Sequence, residues 1–284
     1  MPRTMSASAA QAGRTRHGGL FLPVGATLLA LFILVAVFGR AIAPYDPTAQ
    51  DLLALLDPPS AQHWLGTDEI GRDILSRVIV GTRITLMIAL TSICLAGVVG
   101  TYLGLIAGYF GGTLDRLITI CVDLMMTIPS LVLAIAVVAA IGANAVGLIT
   151  AITVSFIPSL ARLVRSRVLE LREFDYIEAA RAIGMHHLRI LFRHILPNAV
   201  SVIVIELSLM AGQAILVGTA LGFLGLGVQP PAPEWGAMLG ASRQYLEVAP
   251  HVAVVPGLAV SLLVLAFNLF GDGLRDRLDP TATQ

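Results

Sequence analysis

Long apolar stretches alternate with shorter polar ones along most of the chain. A helix that crosses a bilayer needs about 20 mostly apolar residues. Six stretches meet this condition: Leu20–Ala43, Ile84–Ala107, Leu117–Ile141, Ala145–Leu160, Ala199–Val228 and Val252–Leu274. The pattern therefore predicts an all-α, polytopic membrane protein with about six transmembrane helices.

These spans divide the chain into segments. We expect an N-terminal tail at 1–19, a first span at 20–43, an outer segment at 44–82, a five-span core at 83–274 with a loop at 162–197, and a C-terminal tail at 275–284. Ala41–Ala43 resembles a signal-peptidase site, so cleavage is one alternative for the first span. Its apolar run exceeds the 7–15 residues of a signal peptide, however, which favours a retained anchor.

The outer segment contains a pattern that favours a short helix. Thr67 precedes Asp68 and Glu69, and these residue types suit a helix N-terminus. Apolar residues then recur on one face, at Ile70, Ile74, Leu75, Val78 and Ile79. We expect an amphipathic helix that lies on the membrane face or packs on neighbouring spans.

Composition adds to the membrane interpretation and excludes some functions. The chain is 56% apolar and 13% charged, with 18 basic and 18 acidic side chains, whereas soluble domains carry about 25% charge. Every basic residue is arginine. A phosphate-binding P-loop needs a lysine, so the chain is not itself a P-loop ATPase. Zero net charge argues against a nucleic-acid partner.

The arginines are distributed unevenly about the predicted spans. An even number of spans leaves both tails, the connection that contains Arg116 and the 162–197 loop on one side, and thirteen of the eighteen arginines fall there. The positive-inside rule makes that side the cytoplasm. Five arginines are left for the outside: Arg40, Arg72, Arg77, Arg83 and Arg243.

The 162–197 loop has the features of two helices. Asp175 and Glu178 form a D-x-x-E capping box, and Ala179 and Ala180 favour helix while leaving a surface that another protein can approach closely. Gly184 can adopt the left-handed conformation that stops a helix. A second helix carries apolar residues at helical spacing, Leu188, Leu191, Phe192 and Ile195, with Leu196-Pro197 at its end. The alternative to a docking loop is an amphipathic helix lying on the membrane.

Two carboxylates fall inside predicted spans, Asp123 in the third and Glu206 in the fifth. Such residues usually face the bundle or water. They are candidates for the translocation path; the alternative is a structural ion pair or hydrogen bond, which we favour for Asp123.

Small residues and prolines have two interpretations each. Gly100, Gly104 and Gly108 repeat every four residues, which permits close helix contact within the chain or with a partner. Pro129 and Pro158 predict kinks that are either hinges or ordinary bends.

No enzymatic site is predicted. His186 and His187 are adjacent and do not form a zinc pair, and no nucleophile elbow surrounds any serine. We therefore expect no catalytic, cofactor-binding or metal-binding residues in this chain.

Several motifs resemble those of ABC-importer permeases. Glu178-Ala179-Ala180, Gly184 and Leu196-Pro197 look like the EAA motif, which in that family docks on the ATPase subunit. Three further segments resemble the C-type permeases of the dipeptide, oligopeptide and nickel subfamily: His63–Asp73, Phe223–Pro231 with Glu234–Gly236, and Ala266–Asp276. The resemblance covers about residues 44–280. Two departures are His194, where the family usually has isoleucine, and Val217-Gly218-Thr219, where it often has a glutamate.

The resemblance implies a permease subunit in a bacterial cell membrane that moves di- or oligopeptides. Its implied partners are a homologous B-type permease, two ABC ATPase subunits that use ATP and Mg²⁺, and an extracytoplasmic substrate-binding protein. Asp175, Glu178, Ala179, Ala180, Gly184, Leu196 and Pro197 would form the ATPase-docking loop. The alternatives are a nickel or glutathione-like substrate, or a self-sufficient secondary transporter.

Overall fold

The computed structural model describes residues 6–278, with side chains from residue 20 onward. Within that range the regular secondary structure is helical, and one antiparallel bridge joins Thr67 to Asp73. The helices are α1 (Ser6–Ile42), α2 (Ile74–Phe110), α3 (Gly112–Met126), α4 (Ser130–Ile141), α5 (Ala145–Leu171), α6 (Asp175–Ala182), α7 (His187–Ile190), α8 (Leu196–Phe223), α9 (Trp235–Ser242) and α10 (His251–Leu278). The all-α prediction is confirmed. The predicted tails fall partly outside the described residues, at 1–5 and 279–284.

The described helices contain five elements long and apolar enough to cross a membrane, and six if α3 and α4 together count as one. The α3–α4 pair bends by 94°. Pro129 immediately precedes α4, and proline has no N–H to continue the preceding helix. The predicted third span is therefore two short helices rather than one straight crossing.

Helices α2 and α5 form the most extensive helix pair of the bundle, and glycines let them approach. A Cβ added at Gly104 would lie 2.6 Å from Val164 Cβ and 2.7 Å from the Ala161 carbonyl oxygen. Gly100 and Gly108 face the same helix one turn to either side. The glycine repeat thus serves packing within the chain, the first of its two predicted roles.

The outer segment departs from its predicted helix. The helix begins at Ile74, seven residues after Thr67, because the Asp73 side chain accepts a 2.8 Å hydrogen bond from Ser76 N and caps α2 there. Residues 44–73 instead form a non-helical cap at this end of the bundle. The predicted amphipathic helix is wrong in this respect, and its apolar C-terminal half belongs to the first two turns of a 37-residue helix.

Buried charges hold this cap in place. Arg72 Nε lies 2.6 Å from Asp68 Oδ2, and Arg77 Nε lies 3.3 Å from the same oxygen. His63 Nδ1 lies 2.9 Å from Asp73 Oδ1. Removing one partner from such a buried network would leave an uncompensated charge, which is costly. The His63–Asp73 motif therefore has a structural explanation.

Candidate functional site

The loop between α5 and α8 is shorter than predicted. Helix α5 continues past Leu160 to Leu171, and a continuous helix of 37 residues runs from His187 to Phe223. Only residues 172–186, with α6 among them, lie between these long helices. We call this end of the bundle the loop end and the end with residues 44–73 the cap end.

The predicted second loop helix is therefore the beginning of α8 and not a separate element. A π-helical turn at Leu191–Ile195 joins α7 to α8, and Pro197 stands in the first turn of α8. Pro197 thus lies within a continuous helix instead of ending one, directly after the π-helical turn. The Asn198 side chain donates a 2.6 Å hydrogen bond to the His194 carbonyl.

Helix α6 ends as predicted but begins differently. Its N-cap is Phe174, with no side-chain cap hydrogen bond, so the D-x-x-E capping box is wrong. Gly184 has a φ of +76°. Gly184 N donates to Arg181 O and Met185 N donates to Ala180 O, at 2.9 and 3.1 Å. This pair of bonds is a Schellman motif, and it requires a residue that tolerates the left-handed conformation.

Most of the predicted docking residues are exposed at the loop end. Asp175, Glu178, Ala179 and Gly184 face outward, whereas Ala180 is buried. Leu196 and Pro197 lie apart from them, in α8, where Leu196 is half-buried and Pro197 is exposed. The structure thus groups the Glu-Ala-Ala…Gly part of the motif on one short element.

Large apolar side chains are exposed beside these residues. Ile183 is 77% exposed, and Phe192 and Leu188 are more than half exposed. The predicted apolar face of the second helix is divided, because Leu191 and Ile195 point into the core while Leu188 and Phe192 point outward. Ile183 was not predicted. An apolar residue directly before a helix-stopping glycine was the available signal.

The loop is attached to the end of α2 by polar contacts. The Tyr109 hydroxyl lies 2.9 Å from His187 Nδ1, and the Arg181 guanidinium carbon lies 5.3 Å from the centre of the Tyr109 ring. Arg172 Nη1 donates a 3.1 Å hydrogen bond to the Gly108 carbonyl. His187 therefore has a specific partner on α2, which its position in the sequence did not indicate.

The two intramembrane acids have different surroundings. Asp123 on α3 forms an ion pair with Arg162 on α5, and Asp115 binds Arg165 through two hydrogen bonds of 2.5 and 2.7 Å. Asp123 and Arg162 help to line a cavity of about 400 Å³. This ion pair supports the structural interpretation that we favoured for Asp123.

Glu206 lies on α8 and is half-buried. Within residues 20–278, its carboxylate makes no hydrogen bond or ion pair. It remains a candidate for the translocation path.

At the cap end, Glu234 follows the Phe223–Pro231 motif and is the N-cap residue of α9. Its carboxylate accepts 2.8 Å hydrogen bonds from Gly236 N and Ala237 N while only 2% of the residue is exposed. Burial raises the pKa of Glu234 above its usual value. A Cβ at Gly236 would meet the Thr219 carbonyl at 2.6 Å, so the end of α8 and the start of α9 are in direct contact.

Two family models match this chain. Residues 100–284 match the binding-protein-dependent transport system inner membrane component, and residues 24–59 match the N-terminal TM domain of oligopeptide transport permease C. Among curated proteins, the chain is 48% identical over 251 residues to the glutathione transport system permease protein GsiD of Pectobacterium atrosepticum. This match covers 88% of the chain and 83% of the relative.

A second relative and a solved structure extend the comparison. The dipeptide transport system permease protein DppC of Alkalihalophilus pseudofirmus is 46% identical over 257 residues, covering 90% of this chain and 84% of that protein. A structure of the MetNI methionine ABC transporter in inward-facing conformations matches with a TM-score of 0.58 at 22% identity, covering 73% of this chain and 96% of that one. This chain therefore belongs to the family of binding-protein-dependent transport system inner membrane components, the multi-pass cell-membrane permease subunits of ABC importers, on its oligopeptide permease C branch.

Proposed function

We propose that this subunit moves short peptides across a bacterial cell membrane, driven by ATP hydrolysis in partner subunits. Its own role is to form part of the path and to change conformation. The loop end faces the cytoplasm, because thirteen of eighteen arginines belong to the tails and segments assigned to that side. Two ATPase subunits bind ATP and Mg²⁺ and dock there, while a B-type permease completes the membrane unit and a binding protein delivers substrate outside.

The exposed surface of α6 and the residues after it carries this proposal. Glu178, Ala179 and Gly184 are exposed and are not needed for the core, yet they stand beside an apolar side chain, Ile183, that is 77% exposed. Such a surface fits a partner protein, because small residues allow close approach and burial of an apolar side chain in the interface stabilises the complex. A self-sufficient transporter would have no use for it.

The relatives favour a peptide of two or three residues as substrate. Their names specify glutathione and dipeptide, and glutathione is itself a short peptide with an unusual linkage. Both compounds carry an amino group, amide bonds and carboxylates. We therefore propose this shared chemistry as the substrate class, with a nickel chelate as the alternative.

Substitutions at exposed loop positions test the docking proposal. Ala179→Trp should abolish co-purification of the ATPase subunits and uptake of a labelled dipeptide, while the protein remains at normal levels in the membrane. Ala49→Trp, at an exposed alanine of the cap end, is the matched control. Uptake at wild-type rates by Ala179→Trp would refute the proposal.

Gly184 offers a second matched pair. Gly184→Asn and Gly184→Asp add almost the same volume where a Cβ meets nothing within 4 Å, and both residue types tolerate positive φ. The variants differ in charge. We expect Gly184→Asp to reduce uptake more strongly than Gly184→Asn, and equal activities would contradict a role for this surface in docking. Competition by di- and tripeptides, glutathione and a nickel chelate then identifies the substrate class.

A further inference from the structure

Two arginines at the cap end lack the neutralising partners that their neighbours have. Arg72 and Arg77 are buried and share Asp68. Arg40 and Arg83 are exposed, and neither forms an ion pair with any side chain in the described range 20–278. Both stand in or beside apolar spans, where an unpaired charge is costly. These two guanidinium groups are therefore available to an anion from outside the chain.

Both arginines line a groove of about 1,100 Å³ between α1 and α2. Apolar side chains, among them Val37, Ile84 and Met87, form its walls, and residues 44–48 and 231–233 border it at the cap end. Val37 and Met87 are both more than half exposed. The groove thus combines an open apolar wall with positive charge.

The charge of the groove is positive by one unit. Asp46 is the acidic residue among its lining residues, against the two guanidinium groups of Arg40 and Arg83. Thr48 donates two hydrogen bonds to Asp46 Oδ1, one of 2.8 Å from its backbone N and one of 2.6 Å from its hydroxyl. These bonds, with a smaller contribution from Arg40, hold the pKa of Asp46 below its usual value. One singly charged anion would balance the groove.

The position of the groove relative to the membrane narrows the class of anion. Arg40 lies two residues before the end of the apolar span Leu20–Ile42, which places it near the boundary of the hydrocarbon layer. Gly39 contacts α2 at this level, since a Cβ there would meet the Ile79 carbonyl at 3.1 Å. Arg40 is thus near headgroup depth. Because α2 runs away from the cap end, Arg83 lies one turn beyond Ile79, at about the level of Val37, and its long side chain can extend toward the headgroup region. Met87 lies one further turn along α2, next to hydrocarbon.

We propose that this groove binds one anionic phospholipid. The phosphodiester lies between Arg40 and Arg83, because guanidinium groups form strong charge-assisted hydrogen bonds with phosphate oxygens. An acyl chain lies along Val37, Ile84 and Met87. The single negative charge of the lipid, together with that of Asp46, would balance the two arginines, and the lipid would fill the space between α1 and α2. This assignment stands independently of the transported substrate.

Binding of a fluorescent-acyl phosphatidylglycerol to the purified chain in an uncharged detergent tests the proposal. We expect Arg40→Gln with Arg83→Gln to weaken binding at least tenfold, and Met87→Trp, which obstructs the groove without changing its charge, to do the same. Arg243→Gln, at another exposed arginine of the cap end, should stay within twofold of the unmodified chain. Equal affinities for all variants would refute the site.

Competitors separate a lipid site from a simple anion site. Unlabelled phosphatidylglycerol should displace the probe, phosphatidylcholine should displace it at least tenfold less well, and millimolar inorganic phosphate or glycerol phosphate should have no effect. Displacement by the free anions, or equal displacement by phosphatidylcholine, would overturn the assignment. Circular dichroism and the elution volume of each variant confirm that a loss of binding is not a loss of fold.

Discussion

Replacing Ile183 by alanine tests whether the exposed loop surface is a docking anchor. The change removes three carbon groups from a residue that is 77% exposed in the isolated chain. Moving each group from water to a buried position contributes about 0.8 kcal/mol, or roughly 2.4 kcal/mol for all three. Because only the 77% that is still exposed can become buried on docking, the expected loss of binding free energy is about 1.8 kcal/mol. That difference corresponds to about a 20-fold weaker affinity for the ATPase subunits.

The affinity can be measured with the purified permease in nanodiscs and the isolated ATPase subunits. Leu53→Ala is the matched control, because Leu53 is 97% exposed but belongs to the cap end. The stability of the permease itself should change little in either variant, since neither side chain contributes to the core. If Ile183→Ala bound the ATPases as tightly as Leu53→Ala, Ile183 would not be buried on docking and the argument from its exposure would fail.

Two further predictions concern contacts inside the chain. Gly104→Ala places a carbon 2.6 Å from Val164 Cβ and should cost about 1–3 kcal/mol of stability by overpacking. Gly97→Ala meets only the flexible tip of Leu207 at 3.2 Å, so it should lower the Tm in detergent less, and equal Tm values would contradict the described α2–α5 contact. Tyr109→Phe removes the hydroxyl that is bonded to His187 and should reduce uptake per ATP hydrolysed about fivefold, a loss of ~1 kcal/mol. ATPase co-purification should be unaffected. An unchanged ratio of uptake to hydrolysis would refute the idea that this bond helps to couple ATP hydrolysis to transport.

The sequence was most informative where one physical requirement dominates. Spans are visible because a bilayer demands about 20 apolar residues, and Gly100, Gly104 and Gly108 indicate a close helix contact because only small residues permit it. Gly184 was predictable for a similar reason, since few residues adopt its positive φ. In each case a local feature is sufficient to specify the structure.

Features that depend on distant partners were harder to predict. The polar outer segment resembled a helix N-terminus at Thr67, but contacts between Asp68, Arg72 and Arg77 hold it in a non-helical cap. The partner of His187 is Tyr109, 78 positions earlier in the chain. No periodicity reveals such a pair, because periodic patterns report only which face of an element is buried.

The beginning of α8 was mistaken for a separate element for a related reason. Proline usually separates helices, and Pro197 stands at the predicted membrane entry. Here a π-helical turn precedes it, so the helix continues without a break. Such a turn has no simple signature in the amino-acid pattern, and the length of the loop was therefore overestimated.

Because α7, the π-helical turn and α8 are continuous, they form one long helix that reaches from the loop end to the cap end. At about 1.5 Å per residue, the helix from His187 to Phe223 is roughly 55 Å long. One end joins the surface that carries Ile183, and the other end abuts Gly236 and the buried carboxylate of Glu234. A tilt that docking imposed on the first end would be carried along this helix to the second, unless the π-helical turn absorbed it. One continuous helix in this way joins two motifs that lie far apart in the sequence.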